Sequence, residues 1–405
     1  MKNKTKTPLN QSKSLSAEEV VGLIPDELLD QLSLETDVDS FVKKFHGKVV
    51  FKLFIYAMLT TKTISLRILE TIFSSPRFQR LFKVPQKKLT HAGIAYRLKT
   101  MDVTYLERIF SHLISSHAVD EILFADKKVN IRKIDTTIVT LSSKLLKLGM
   151  DRDKTKKTLK FGVELNQGIP VNLMLCTEQR DCSEDNVLPR LVRHKSGKQS
   201  AGALNIAIFD RGIQRKKTFV DFEKESILFI SRSRSQKFKV LEDKVVPPEE
   251  TESETIRITS DQAVIFSNTY ATFDEPLRLV TGVNKETGQT ISFLTNVTFL
   301  SAKEITELYR SRWEIETFFK FIKQELNFSH LLSRSENGIK VCMYLTMIVA
   351  ILMTIYKKTN KIVGWASTKI KFLDELEHDL LIAWNETLAP MFQAERQKRA
   401  AVKGG

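Results

Sequence analysis

Apolar positions along the first 120 residues recur with a helical period. They run through Glu18–Leu32, Phe41–Leu59 and Leu66–Phe73, with Ser74-Ser75-Pro76 and Pro85 as breaks. This predicts a helical region over 15–120, after a polar, basic tail at 1–14. At Val129 the pattern changes to β-branched runs bounded by polar residues, and strands are predicted at 129–141, 159–166, 170–177, 203–209 and 227–231. Glu184–His194 reads as a helix among them, and Gly168-Ile169-Pro170 marks a turn. A third block, about 235–300, alternates strand-like runs (Thr255–Thr259, Ala263–Phe266, Leu277–Val283, Thr290–Leu294) with polar turns; Pro248 and the Glu-rich stretch 249–254 read as its flexible spot. The helical period returns at Ala302, with Ser301 as N-cap, and persists into a C-terminal region at 336–405.

Within that last helix, Tyr309–Lys323 reads YRSRWEIETFFKFIK. Tyr309, Arg312, Glu316 and Lys323 are spaced by 3, 4 and 7 residues, which places them on one stripe of a continuous helix. Leu308, Ile315, Phe319, Ile322 and Leu326 form an apolar stripe that packs on a core. A carboxylate thus sits between cations at the edge of a buried surface. The plain alternative is a solvated charged face with i,i+4 pairs.

Two carboxylates upstream favour the first reading. Asp135 stands in the middle of a predicted strand, VNIRKIDTTIVTL, and Asp210 follows the apolar run ALNIAIF, before Arg211 and Gly212. Singly, such an Asp is ordinarily a cap or turn residue. Three carboxylates on a strand, a strand end and a core-edge helix form a constellation suited to hard cations.

These residues carry a resemblance. Asp135, Asp210 and Glu316, with the pattern Tyr-x2-Arg-x3-Glu-x6-Lys at Tyr309, Arg312, Glu316 and Lys323, resemble bacterial insertion-sequence transposases with a DDE catalytic domain, and more narrowly the Tyr-Arg-Glu-Lys signature branch. The Asp135-Thr136-Thr137 and Asp210-Arg211-Gly212 contexts are similar to that branch, as are VVGLIPDELLDQL and TISLRILE nearer the start. The resemblance implies an RNase H-like mixed α/β catalytic domain over 125–335. It also implies a β-rich insertion at about 235–300, which accounts for the 106 residues between Asp210 and Glu316. Asp135, Asp210 and Glu316 are then the catalytic and metal-binding residues, holding two Mg²⁺ ions with Mn²⁺ as a substitute. Tyr309, Arg312 and Lys323 are the DNA-binding residues: Arg312 offers a bidentate fork to phosphate and Lys323 a point charge. Tyr309 stacks or donates to phosphate, or is a packing aromatic.

Charge fits a polyanionic partner. The chain carries 63 Lys and Arg against 48 Asp and Glu, a net of +15. Residues 127–160 hold 11 basic and 3 acidic residues and residues 190–240 hold 13 and 4, so both aspartates lie in basic segments; residues 241–300 reverse this with 4 and 10. Exposed cations such as Lys87, Lys88 and Arg97 give the 15–120 helices a part in recognising DNA ends; a helical cap or dimerisation module is the alternative. Cys176, Cys182 and Cys342 fit neither a disulfide framework nor paired zinc spacing. The seven His show no zinc motif. Residues 1–15 lack the apolar core of a signal peptide. The uncharged run Val341–Tyr356, 16 residues, is short of a membrane span and reads as a core helix, so a cytoplasmic protein without a membrane partner is expected.

The reading is a transposase that binds insertion-sequence ends, as a homodimer in the DNA complex, and cleaves and transfers strands by cut-and-paste. A DNA endonuclease of the same fold that does not join strands is one alternative, and a non-catalytic DNA-binding protein descended from a transposase is another.

Overall fold

Ser16, Ser65, Ser75 and Thr90 each cap the start of an N-terminal helix. In the computed structural model, which describes residues 14–84, 88–116, 122–124, 127–141, 149–151, 157–178, 181–194, 202–233, 238–267, 275–330 and 332–378, seven helices precede the sheet. They are α1 (Ala17–Val21), α2 (Asp26–Glu35), α3 (Gly47–Thr60), α4 (Leu66–Ser74), α5 (Pro76–Leu81), α6 (His91–Thr100) and α7 (Thr104–Ser116). Ser16 and Glu19 close a capping box on α1. The helix expected over Glu18–Leu32 is two helices. Pro25, in extended conformation before α2, lacks the N–H a continuing helix needs. Ser-Ser-Pro ends α4 and at once starts α5: Ser75 Oγ accepts from Phe78 N at 3.2 Å, and Pro76 takes the first helical position. The helix expected from Phe41 begins at Gly47, whose N–H is capped by Asp39 Oδ1 at 2.7 Å. The basic tail, apart from Ser14, lies outside the described residues, as do Pro85 and Lys87. Lys88 is exposed as expected, whereas Arg97 is buried. Its guanidinium is held by Asp39 and the Phe45 carbonyl, so it is not a surface cation.

The chain forms two compact units, Met1–Ala118 with Phe321–Gly405, and Val119–Lys320. The second is built on a mixed sheet of β1 (Ile122–Phe124), β2 (Lys127–Leu141), β3 (Met150–Asp151), β4 (Lys157–Asn166), β5 (Ile169–Cys176), β6 (Leu204–Phe209), β7 (Leu228–Arg232), β8 (Phe238–Lys244), β9 (Ile256–Phe266), β10 (Leu277–Asn284) and β11 (Thr290–Thr295). Helices α8 (Glu184–Arg193), α9 (Lys216–Lys224) and α10 (Ala302–Arg310) accompany it, and α11 (Trp313–Glu325) begins in this unit and runs past its last residue, Lys320. The order is β3-β4-β2-β6-β7-β11-β10-β9-β8, with β1 on β2 and β5 on β4. β2 pairs antiparallel with β4 and parallel with β6, and β6 pairs parallel with β7. The acidic β-rich block continues the sheet through the antiparallel β11–β7 pair.

Both faces of the central strands β2, β6 and β7 are covered. Ala207, Phe209 and Phe229 pack with Val187, Leu188 and Leu191 of α8 and Phe219 and Phe222 of α9. Ile206, Ile208, Val129, Ile131 and Ile230 pack on the other face with Ala302, Ile305 and Leu308 of α10. The alternation of period two assigns each strand residue to one face. Two expected strands, Thr255–Thr259 and Ala263–Phe266, are one strand, β9. The polar residues that read as a turn include Asp261, a buried partner of Arg278 at 2.7 and 2.8 Å. The 249–254 stretch holds a short 3₁₀ turn, and Glu252 and Glu254 pair with Lys285 and Arg310.

In the first unit, α12 (Glu336–Thr359) is the apolar run expected as a core helix. Among the described residues it is the one helix long and apolar enough to cross a membrane, and 89% of its apolar window is buried. Asn337, in its first turn, donates to the Lys99 and Met101 carbonyls at 3.1 and 2.7 Å, tying it to the end of α6. The three cysteines are free and buried. Of the expected C-terminal helical region, residues 379–405 lie outside the described residues.

Candidate functional site

The parallel register brings the two aspartates together. β2 and β6 pair from Val129↔Leu204 to Lys133↔Ile208, an offset of 75 residues, and Asp135 and Asp210 share that offset. The pairing ends two residues before them, and the Asp210 charge reaches Asp135. Both fall on the α10 face, since they share parity with Ile131 and Ile208, whereas Ile134 and Phe209 face α8 and α9. Gly212 lets the turn after Asp210 press on α8: a Cβ there would lie 2.6 Å from Glu184 Oε2 and 2.8 Å from Leu188 Cδ1.

The third carboxylate arrives on a broken helix. Ser301 and Glu304 form a capping box that starts α10, which ends at Arg310. The single helix expected from Ala302 through Lys323 is interrupted at Ser311–Arg312 by tight i,i+3 bonds, from Ser311 N to Leu308 O at 3.1 Å and from Arg312 N to Tyr309 O at 2.9 Å. Tyr309 is therefore on α10, Arg312 in the turn, and Glu316 and Lys323 on α11. The apolar stripe is buried as expected, from Leu308 through Ile315, Phe319 and Ile322 to Leu326.

This turn delivers Arg312 between the carboxylates. Its Nη1 lies 3.2 Å from Asp135 Oδ2, and its Nη2 donates to Glu316. Tyr309 donates its hydroxyl to Asp210 Oδ1 at 2.9 Å, packs its ring on Phe293 at 4.9 Å, and lies under the Arg312 guanidinium at 5.7 Å. One guanidinium and one phenol thus join Asp135, Asp210 and Glu316. The buried Nε of Arg312 has no acceptor among the described residues. Lys323, the fourth signature residue, lies beyond Lys320 and so belongs to the other compact unit. Burial lowers its pKa.

The two aspartates differ electrostatically. Burial pushes Asp135 up to about 6; the Thr136 N–H and Arg312 oppose this, while Glu184 and Asp210 add to it. Burial also raises Asp210, but the Arg211 N–H, Arg312, the Tyr309 hydroxyl and Arg232 outweigh it and the net shift is downward. Tyr309 is raised, first by burial and then by Asp210. Arg312 is raised although burial works against it, because Tyr309, Glu316 and the aspartates favour its charge.

Glu184 is a residue that sequence reasoning does not single out. It opens α8, accepts from Thr136 Oγ1 at 2.7 Å and Lys160 Nζ at 2.8 Å, and its charge reaches Asp135. In one sequence it looks like an ordinary acidic first-turn residue. Lys133 and Glu314, on the α10 face, also pair.

The donor set consists of carboxylate oxygens, which suits a hard divalent cation. As arranged, no three His, Cys, Asp or Glu groups among the described residues are gathered closely enough to hold a metal. Their oxygens are committed to Arg312 and Tyr309 instead.

The family described as "Transposase DDE domain" matches residues 130–352, more than half of the chain. The chain is similar to a Sinorhizobium fredii protein named as transposase y4zB, at 29% identity over 156 residues, 38% of this chain and 43% of that one. It is similar to a Synechocystis protein named as the transposase for insertion sequence element IS4SA, at 26% identity over 234 residues, 56% of this chain and 60% of that one. The matches therefore span about half the length of these relatives. A piggyBac transposase synaptic complex with hairpin DNA has 12% identity and a TM-score of 0.48, covering 95% of this chain and 85% of that one.

Proposed function

The chain belongs to the Transposase DDE domain family, and on that premise we propose that it is a DNA transposase that binds insertion-sequence ends and cleaves and transfers strands by cut-and-paste. The observation that carries this reading is the convergence of Asp135, Asp210 and Glu316 on Arg312 and Tyr309. The spacing Tyr-x2-Arg-x3-Glu-x6-Lys supports the Tyr-Arg-Glu-Lys branch. The strand order β5-β4-β2-β6-β7, antiparallel and then parallel, supports an RNase H-like catalytic domain over 125–335, with an insertion at about 235–300.

Asp135, Asp210 and Glu316 hold divalent metal, Mg²⁺ by donor preference. When bound, Mg²⁺ supplies positive charge to the attacking and leaving oxygens of a phosphodiester substitution. Arg312 fills part of that electrostatic role in the present arrangement. Its unpartnered Nε supports a second position for it, on a phosphate near the cut. Tyr309, released from Asp210, has a hydroxyl to give to phosphate, and Lys323 contributes a further cation. The surrounding basic segments suit transposon-end and target DNA, and a homodimer pairs two ends. The region 15–120 contributes end recognition.

A one-pot assay tests this reading. The full chain is incubated with Mg²⁺ and duplexes carrying the DNA that flanks its own gene. Cleaved and joined products are expected. Cleavage without joining would replace the reading with an endonuclease, and binding alone would replace it with a non-catalytic descendant.

A further inference from the structure

The loop between α2 and α3 is rigidly built, yet it holds a bulky apolar side chain in water. Asp39 is its hub. Oδ1 accepts from Gly47 N and from Arg97 Nη2, each at 2.7 Å, and Oδ2 accepts from Ser33 Oγ at 2.7 Å. Arg97 Nε donates to the Phe45 carbonyl at 3.1 Å, and the Phe45 ring meets Phe73 edge-on at 6.1 Å. On this frame Phe41 has φ of +63° and is fully exposed, at 102%. A bulky residue in the left-handed region is strained, and an exposed ring gains nothing from folding. Such strain persists where the surroundings over-determine it, and it concentrates at functional positions.

Phe41 is not isolated. It lines one cleft of about 420 Å³ with Tyr96, which is 69% exposed on α6. Lys43 and Lys44 follow Phe41 on the loop, and Lys99 lies one turn beyond Tyr96; all three are exposed. Asp37, Ser40, Thr100 and Asp102 also line the cleft and offer acceptors. Val38, Val42 and Phe45 also line the cleft, but Val38 and Phe45 are buried and Val42 is half-buried, so the exposed apolar surface is two rings, too small for a protein interface core. Aromatic faces flanked by lysines match the chemistry of DNA, with its stacked bases and lines of phosphate.

We propose that the Phe41–Tyr96 cleft is a DNA contact surface, in which Phe41 wedges into a base step and Lys43, Lys44 and Lys99 hold the flanking phosphates. The proposal deepens, and rests on, the reading of the chain as a transposase whose 15–120 region touches DNA. Tyr96 backs the unstacked base, and the cleft acceptors meet exocyclic amino groups at its edge.

The test uses the full chain and duplexes of the DNA flanking its gene, with 2-aminopurine moved step by step, and a random duplex as control. Wild type should raise the fluorescence at one step. Phe41→Asn keeps a residue that tolerates the left-handed conformation. It should remove that rise and weaken binding about tenfold, with the log–log salt slope unchanged. The Lys43→Ala, Lys44→Ala double variant should keep the rise and reduce the slope by about two. Thermal stability should not fall in Phe41→Asn, and should rise if anything, since the ring is fully exposed and asparagine relieves the left-handed strain. Wild-type binding and fluorescence in Phe41→Asn overturn the proposal while leaving the transposase reading intact. An altered oligomeric state with DNA binding retained also overturns it, assigning the surface to a second copy. Failure of wild type to bind either duplex overturns both readings.

Discussion

Two charge clusters flank the same strand three residues apart, and they are built differently. On the α8 face, Arg132 makes a bidentate pair with Glu164 at 2.7 and 2.9 Å and gives further hydrogen bonds to the carbonyls of Leu191, Val192 and His194. Glu164 is 1% exposed, and the pair pins β2, β4 and the end of α8 together. On the α10 face, Asp135, Asp210 and Glu316 share one directly bonded guanidinium and one phenol besides the backbone N–H groups of Thr136 and Arg211, and Arg312 Nε is left over. A balanced, fully hydrogen-bonded pair is what structure requires of a buried charge. A surplus of carboxylate with an orphaned donor is not, and folding alone does not account for it. The contrast sets a cluster that folding explains beside the one we propose as functional.

The sharpest way to break the contrast is to remove carboxylates from each side. Asp135→Ala, Asp210→Ala or Glu316→Ala should each reduce strand cleavage below detection while leaving DNA affinity largely intact, read by denaturing gel and mobility shift from the same tubes. A wild-type cleavage rate in any of them would take that residue out of the site. Glu164→Ala should do the opposite. It leaves Arg132 buried without its partner, costing about 3–5 kcal/mol of stability, measured as a lowered urea midpoint. Any loss of cleavage should follow the loss of folded protein.

The cations sharpen the comparison at the next level. Arg312→Ala and Lys323→Ala should weaken DNA engagement and lower activity less completely than Glu316→Ala, and each should reduce the log–log salt slope of binding by about one. Arg132→Met is expected to leave the slope unchanged. If both signature variants also leave it unchanged, neither side chain touches phosphate.

The smallest effect is a pH dependence. Asp135 has a folded pKa of about 6 against an ordinary 3.8. A carboxyl raised on folding supports the fold fully below its unfolded value, and that support is lost as pH rises through the folded value. Asp135→Asn, neutral throughout, should therefore be stabilised over wild type by about 1–3 kcal/mol above pH 6, by much less at pH 4 and by nothing well below 3.8. A melting-temperature difference that does not change between pH 4 and pH 7.5 would contradict the raised pKa.

Much of this arrangement was legible in the chain because it depends on local rules. The period-two runs place β2 and β6, and their parity sends Asp135 and Asp210 to one face. The signature spacing is local too, yet it misleads in one respect. Helical geometry cannot reveal the turn at Ser311–Arg312 that aims Arg312 at the carboxylates. β8 stayed hidden because it is mostly exposed and lacks an apolar alternation. Glu184 and the Asp261–Arg278 pair stayed hidden because their partners are distant in sequence, and a buried charge looks like a surface one until its partner is known. Arg97 misled for the same reason: the carboxylate that buries it is 58 residues away.

The central claim is that the surplus of carboxylate on the α10 face is a place for divalent metal. The most direct measurement is calorimetric titration of Mn²⁺ into the full chain bound to a duplex of its flanking DNA, alongside Asp135→Asn and the Arg132→Met, Glu164→Leu double variant, which removes the structural pair without leaving a buried unpaired charge. Saturable binding in wild type and the double variant, lost in Asp135→Asn, is the result predicted. Equal heats in wild type and Asp135→Asn would contradict it.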